Sequence, residues 1–147
     1  MSRNITARIL IVEDDAALGI VMSKVLKCAG YETLMAQDGQ IALRLYSEAR
    51  FDLVISDMFM PNMDGVELIV ALNKIDPAAT IMAISGGGLA LPGACLKIAY
   101  LLGAKATLYK PFTMSNLIEL VGQTLNLNQT TVGKRWLPKP GAMKSAG

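Results

Sequence analysis

No histidine occurs in these 147 residues. That absence excludes a phosphohistidine donor, a histidine general base and any histidine metal ligand within the chain. Cysteine is scarce too: Cys28 and Cys95 lie far apart without C-x-x-C spacing, and both read as reduced packing residues of an intracellular protein. No apolar run approaches the ~20 residues of a membrane span, and the mostly polar opening from Met1 to Arg8 is no signal peptide. The expected location is the cytoplasm. Charge of one sign is also lacking, since the net is only +2 and unevenly placed. Asn128 to Gly147 holds Lys134, Arg135, Lys139 and Lys144 with no acid, which leaves ten bases against twelve acids in residues 1–127. A domain that close to neutral has no basic footprint for nucleic acid. Gly86-Gly87-Gly88 offers amides to a phosphate, but no G-x-x-x-x-G-K-[ST] run is present, which argues against nucleotide binding.

What is present begins with a 52% hydrophobic composition, enough at this length for one domain with a real core. Three short apolar runs each deliver a charge at the same end. Ile9 to Val12 leads into Glu13-Asp14-Asp15, Leu53 to Ser56 into Asp57, and Ala106 to Tyr109 into Lys110-Pro111. Runs of this kind, separated by helix-length amphipathic stretches, read as buried parallel strands whose carboxyl ends share one edge. Open α/β sheets bind ligands at that edge. Two carboxylates about 5 Å apart repel by roughly 3 kcal/mol at an effective dielectric near ~20, so such a cluster needs compensation. A hard cation held by oxygens supplies it, and Mg²⁺ in particular combines one or two carboxylates with waters and phosphate oxygens. The pattern therefore points to a site for a divalent metal and a phosphoryl group, with Lys110 as a fixed positive charge beside it.

The chain reads as β-α repeated five times. Expected strands are Arg8 to Glu13, Glu32 to Ala36, Asp52 to Asp57, Thr80 to Ser85 and Ala106 to Tyr109, the third being the most apolar and so central. Expected helices are Ala16 to Ala29, Asp38-capped to about Ala49, Val66 to Ile75, roughly Ala94 to Leu102 with a start nearer Leu89 left open by Pro92-Gly93, and Met114 to Leu125 with Thr113 or Ser115 as cap. Leu18, Val21, Met22, Val25 and Leu26 form the apolar face of the first, with Gly30 placed to end it; Leu68, Ile69, Leu72 and Ile75 form that of the third. The fold expected is a five-stranded parallel sheet with helices on both faces, the flavodoxin-like doubly wound (βα)5 arrangement. Its expected bounds are a lead over residues 1–7, the domain over 8–127 and a basic, disordered tail over 128–147.

Ile9 to Asp15, then Asp57-Met58-Phe59-Met60-Pro61-Asn62-Met63-Asp64-Gly65, then Ser85, then Lys110-Pro111-Phe112 resemble the receiver domain of two-component response regulators, over about Arg8 to Leu127. A single acidic strand end is weak evidence; four motifs in this order are strong. The resemblance implies that Asp57 is a nucleophile that takes a phosphoryl group from a phosphohistidine of a partner kinase. It implies Mg²⁺ held directly by Asp14, Asp57 and the backbone carbonyl of Phe59, with Glu13 acting mostly through water. Lys110 and the Ser85 hydroxyl would hold phosphoryl oxygens, and the Lys110-Pro111 bond would be cis, a form open at low cost only to X-Pro. One departure stands out. Receivers usually carry Tyr or Phe three residues before the lysine, an aromatic that swings inward on phosphorylation, and here that place is Thr107.

Other residues have plainer readings. Asp15 reads as a helix cap before a ligand, Asp64-Gly65 as turn geometry, and the nine methionines as packing residues, with Met58, Phe59 and Met60 rimming the pocket. The resulting expectation is a stand-alone switch that is no enzyme beyond its own phosphotransfer and dephosphorylation. Its partners would be a sensor histidine kinase or histidine phosphotransferase and a downstream protein, with neither nucleic acid nor membrane. A phosphorelay shuttle to a histidine phosphotransferase is the alternative within the class. A Mg²⁺-dependent phosphatase-like enzyme is the alternative outside it; such phosphatases commonly carry an acid two residues past the nucleophile, and that place is Phe59.

Overall fold

The computed structural model describes residues 6–86 and 92–129, with no account of side chains at 92–96 and 127–129. Five strands alternate with five helices: β1 Arg8–Val12, α1 Ala16–Cys28, β2 Glu32–Ala36, α2 Gly39–Glu48, β3 Leu53–Asp57, α3 Gly65–Ile75, β4 Ile81–Ser85, α4 Pro92–Leu101, β5 Ala106–Tyr109 and α5 Met114–Gln129. All strands are parallel in the order β2-β1-β3-β4-β5. The chain thus steps outward from β1 to β2 and returns to the other side of β1 for β3. That reversal opens a crevice at the carboxyl ends of β1 and β3, where the two connections leave in opposite directions.

Side-chain alternation divides the core into two layers. Ile9, Ile11, Leu53, Ile55, Met82, Ile84 and Leu108 face α1 and α5, meeting Met22, Leu26, Leu117 and Val121. Leu10, Val12, Val54, Ile81 and Ala83 face the other way, toward Ala42 of α2, Leu68, Ile69 and Leu72 of α3 and Ala99 of α4. β3 and β4 are buried at every position, as a strand covered on both faces requires, whereas β2 at the sheet edge is mostly exposed. Leu72 is fully buried, and truncating such a residue to alanine costs about 2–5 kcal/mol.

Local chemistry sets the helix limits. Asp15, Asp38, Asp64 and Thr113 accept first-turn amides of α1, α2, α3 and α5, satisfying donors that have no partner inside the helix. α1 ends where Gly30, at φ +104°, lets Gly30 and Tyr31 amides return to the Lys27 and Leu26 carbonyls. Pro92 opens α4, between the two starts expected near Leu89 and Ala94, because the first helical position needs neither an amide hydrogen nor a free φ. α5 runs to Gln129, past the expected Leu125, since Thr124 and Leu125 still pack inward.

Several expectations change. Val21 is 45% exposed and Ile75 53%, because a helix lying on a sheet buries a narrower stripe than its apolar spacing suggests; Gly19 and Ser23 occupy the inner face of α1 in their stead. Cys28 is exposed at the end of α1 and is no packing residue. Met58 and Met60 turn into the core, leaving Phe59 as the exposed member of that trio. The basic segment from 130 onward, Gly87 and Gly88 lie outside the described residues, as does the side chain of Cys95. No helix of the described residues is long and apolar enough to cross a membrane.

Candidate phosphoryl and metal site

β1, β3 and β5 bring their terminal charges to one point. Carboxylate oxygens of Glu13, Asp14 and Asp57 lie within 4.8 Å of one another. Glu13 and Asp57 are buried and Asp14 is exposed, so two acids form the floor and the third faces solvent. Lys110 reaches over from the end of β5, its Nζ 2.9 Å from Asp57 Oδ2 and 3.3 Å from Glu13 Oε1. The Lys110-Pro111 bond is cis. The amides of Phe59 and Asp15 donate to Asp57 Oδ1 at 3.0 Å and to Glu13 Oε2 at 3.2 Å. These bonds fix both carboxylates in orientation.

One lysine does not neutralise three acids. Burial first, and the Asp57 charge second, push the Glu13 carboxyl up to about 7, against the pull of the Asp15 amide and of Lys110. Burial pulls Lys110 down, but its hydrogen bond to Asp57 and the charges of Asp57 and Glu13 more than offset this and leave it above its ordinary value. The site therefore holds excess negative charge in a partly dry place, the condition under which a divalent cation is favoured. Hard oxygen donors with one open, solvent-facing side suit Mg²⁺.

Ser85 completes the group. It ends β4, one residue past the partner of Asp57 in register, and its carbonyl accepts the Lys110 amide at 2.8 Å. Its hydroxyl is fully buried without a hydrogen-bond partner. Such an orphan costs about 1–3 kcal/mol, and a phosphoryl oxygen entering the crevice would relieve it.

Gly65 is a residue whose part the sequence reading missed. A Cβ there would stand 2.7 Å from the Asp57 carbonyl oxygen and from Met58 Cα, so α3 starts pressed against the backbone of Asp57 and Met58. Asp64 and Glu67 form a reciprocal cap at that start; the D-x-x-E spacing was a legible signal. Asp64-Gly65 is therefore a helix start seating the site, in place of a simple turn.

The family model described as the response regulator receiver domain matches residues 9–122. The chain belongs to that family. The receiver is 35% identical over 117 residues to the chemotaxis protein CheY of Thermotoga maritima, covering 79% of this chain and 95% of that protein. It is also 35% identical over 113 residues to a response regulator receiver protein of Anaeromyxobacter, covering 77% of this chain but only 46% of that longer protein. Among solved structures, a CheY-like receiver domain protein from Methanospirillum hungatei superposes with a TM-score of 0.80 at 26% identity, over 86% of this chain and 99% of the other. Receivers are signalling domains that bind Mg²⁺ at an acidic pocket, and the Glu13, Asp14 and Asp57 cluster provides one here.

Thr107 stands apart from this group. It pairs with Ala83 on the side of the sheet that α4 covers and is half-buried.

Proposed function

We propose that this receiver accepts a phosphoryl group on Asp57 from the phosphohistidine of a sensor kinase or phosphotransferase and signals in the cytoplasm by changing its affinity for a protein partner. The observation that carries the reading is the convergence of a buried, oriented Asp57 with Lys110 at 2.9 Å and the orphan hydroxyl of Ser85. A carboxylate oxygen of Asp57 attacks phosphorus; the new O–P bond forms as the P–N bond to the donor imidazole breaks, and the imidazole leaves with a proton from solvent. Lys110 donates to a transferring oxygen and so leaves Asp57 free to react. Ser85 donates to another, moving the end of β4 toward the phosphoryl group. Asp14, Asp57 and the Phe59 carbonyl would hold Mg²⁺ with Glu13 behind it, and the bound ion would supply positive charge to the oxygens in transfer.

Output takes a different route from the family's usual one. Thr107 is too small to swing as an aromatic does, so movement of the β4 end passes directly to the connection before α4. Spectra with and without beryllofluoride should locate the change at Ser85, Gly86 and α4; a rearrangement centred on β5 would count against this route. The acceptor is tested by mass spectrometry after acetyl phosphate and Mg²⁺. One phosphate is expected on the parent and none on Asp57→Asn, and undiminished labelling of that variant would overturn the assignment.

A further inference from the structure

The amino-terminal edge of the sheet, opposite the phosphoryl site, carries a cleft of about 530 Å³. It opens between the ends of α2 and α3 and the starts of β3 and β4, lined by Tyr46, Arg50, Asp52, Ile75, Asp76 and Thr80 among others. Several groups there lack partners. Thr80 is only 5% exposed, yet its hydroxyl makes no hydrogen bond among the described residues. Arg50 forms no ion pair among those residues, and Asp52 uses one oxygen, on the Arg8 amide at 2.8 Å. Ile75 projects an apolar side chain that is 53% exposed. Asp76 accepts from the Tyr46 hydroxyl and the Ala78 amide. The two carboxylates disfavour an anion, and the polar lining disfavours a purely apolar ligand. Basic and apolar side chains on an extended backbone match every one of these groups, the backbone serving Thr80.

α5 brings such a peptide to this edge. A Cβ on Gly122 would lie 3.9 Å from the Tyr31 hydroxyl, and Leu125 packs in the cluster that holds Leu26 and Tyr31, just before β2 begins. Beyond Gln129 come Lys134, Arg135, Lys139 and Lys144 without an acid, and Trp136-Leu137 among them. From Gln129 to Trp136 an extended chain reaches at most ~25 Å. Crossing from the α5 layer to the α2/α3 layer takes roughly 20 Å, two packing distances of about 10 Å.

We propose that residues 134–140 of this chain occupy the cleft, with basic side chains at Asp52 and Asp76 and Trp136-Leu137 against Ile75 and Arg50. The guanidinium of Arg50 then finds an indole face. Tethering replaces affinity here, because a short linker raises the effective concentration to the millimolar range. The proposal does not depend on phosphoryl chemistry at the other edge.

Trp136 is the sole tryptophan and reports directly on the full-length protein. At low salt its emission should be blue-shifted and shielded from acrylamide. Asp52→Asn combined with Asp76→Asn should move it to the emission of a water-exposed indole, as should ~1 M NaCl, where screening is nearly complete. Ile75→Asp, at an exposed position, provides an independent variant should the double one fold poorly by circular dichroism. A water-exposed indole in the parent at low salt, or shielding that survives both variants, overturns the proposal. So does shielding that rises with protein concentration, the sign of a second copy, or that appears only with an added acidic partner.

Discussion

The two edges of the sheet treat their acids in opposite ways. At the amino-terminal edge Asp52 accepts the Arg8 amide, Asp76 accepts Tyr46 and Ala78, and Glu32 pairs with Arg8. Each carboxylate there has its own hydrogen-bond donor within the fold. At the carboxyl-terminal edge three carboxylates face one another across less than 5 Å with a single lysine between them. Such pairing holds the first set in place. Surplus charge marks the second as a place where a divalent cation lowers the free energy, because repulsion the protein leaves in place becomes affinity for the charge that relieves it.

That contrast can be pressed experimentally, beginning with the largest effect. Asp14→Ala removes the exposed acid, and Mg²⁺ affinity should fall at least tenfold, as losing one of few protein ligands implies. An unchanged Mg²⁺ titration would show the ligand set to be wrong. Glu13→Gln tests the surplus charge itself. The Glu13 carboxyl is raised to about 7 in the fold, so its favourable share of stability is fully present below its unfolded value near ~4.5 and is lost as pH climbs through about 7. In the metal-free parent, stability relative to Glu13→Gln should therefore drop across that window, by up to about 3 kcal/mol, with Mg²⁺ restoring it above. A flat difference in urea melts from pH 4.5 to 7.5 would mean that Lys110 already neutralises the site.

Smaller changes concern lifetime and architecture. In this family the residues two past the acceptor and two past the serine flank the path of the hydrolytic water, and here they are Phe59 and Gly87. Neither side chain can hydrogen-bond a water and so orient it, and Phe59 is 37% exposed. Phe59→Asn with Gly87→Glu should speed loss of phosphate about tenfold, equivalent to ~1.4 kcal/mol of barrier, as followed by radiolabel decay. No acceleration would separate the lifetime from water positioning. The smallest effect belongs to the paired edge: Tyr46→Phe deletes one hydrogen bond to Asp76 and should cost about 1 kcal/mol in urea melts, with phosphorylation rate unchanged. A slowed phosphotransfer in that variant would mean the two edges communicate.

Sequence alone determined the order and type of the elements and the identity of the acidic site. Strands buried on both faces must be continuously apolar, helices on a sheet must repeat near 3.6, and each Asp, Thr or Gly at a boundary satisfies a local backbone need. The carboxyl ends of parallel strands must meet, so Glu13, Asp14, Asp57 and Lys110 were legible as one group, and the family resemblance added Ser85. Tertiary structure decided what depends on neighbours distant in the chain. It exposed Val21, Ile75 and Cys28, which helical spacing had assigned to the interior or which composition had called packing residues, because burial depends on the width of the contact a helix makes. It pressed Gly65 against Asp57, an approach that Asp-Gly, equally good as a turn, does not encode. It left Ser85 fully buried without a partner and set Lys110 between two acids 53 and 97 residues away, since distances between side chains are fixed only when the sheet registers its strands.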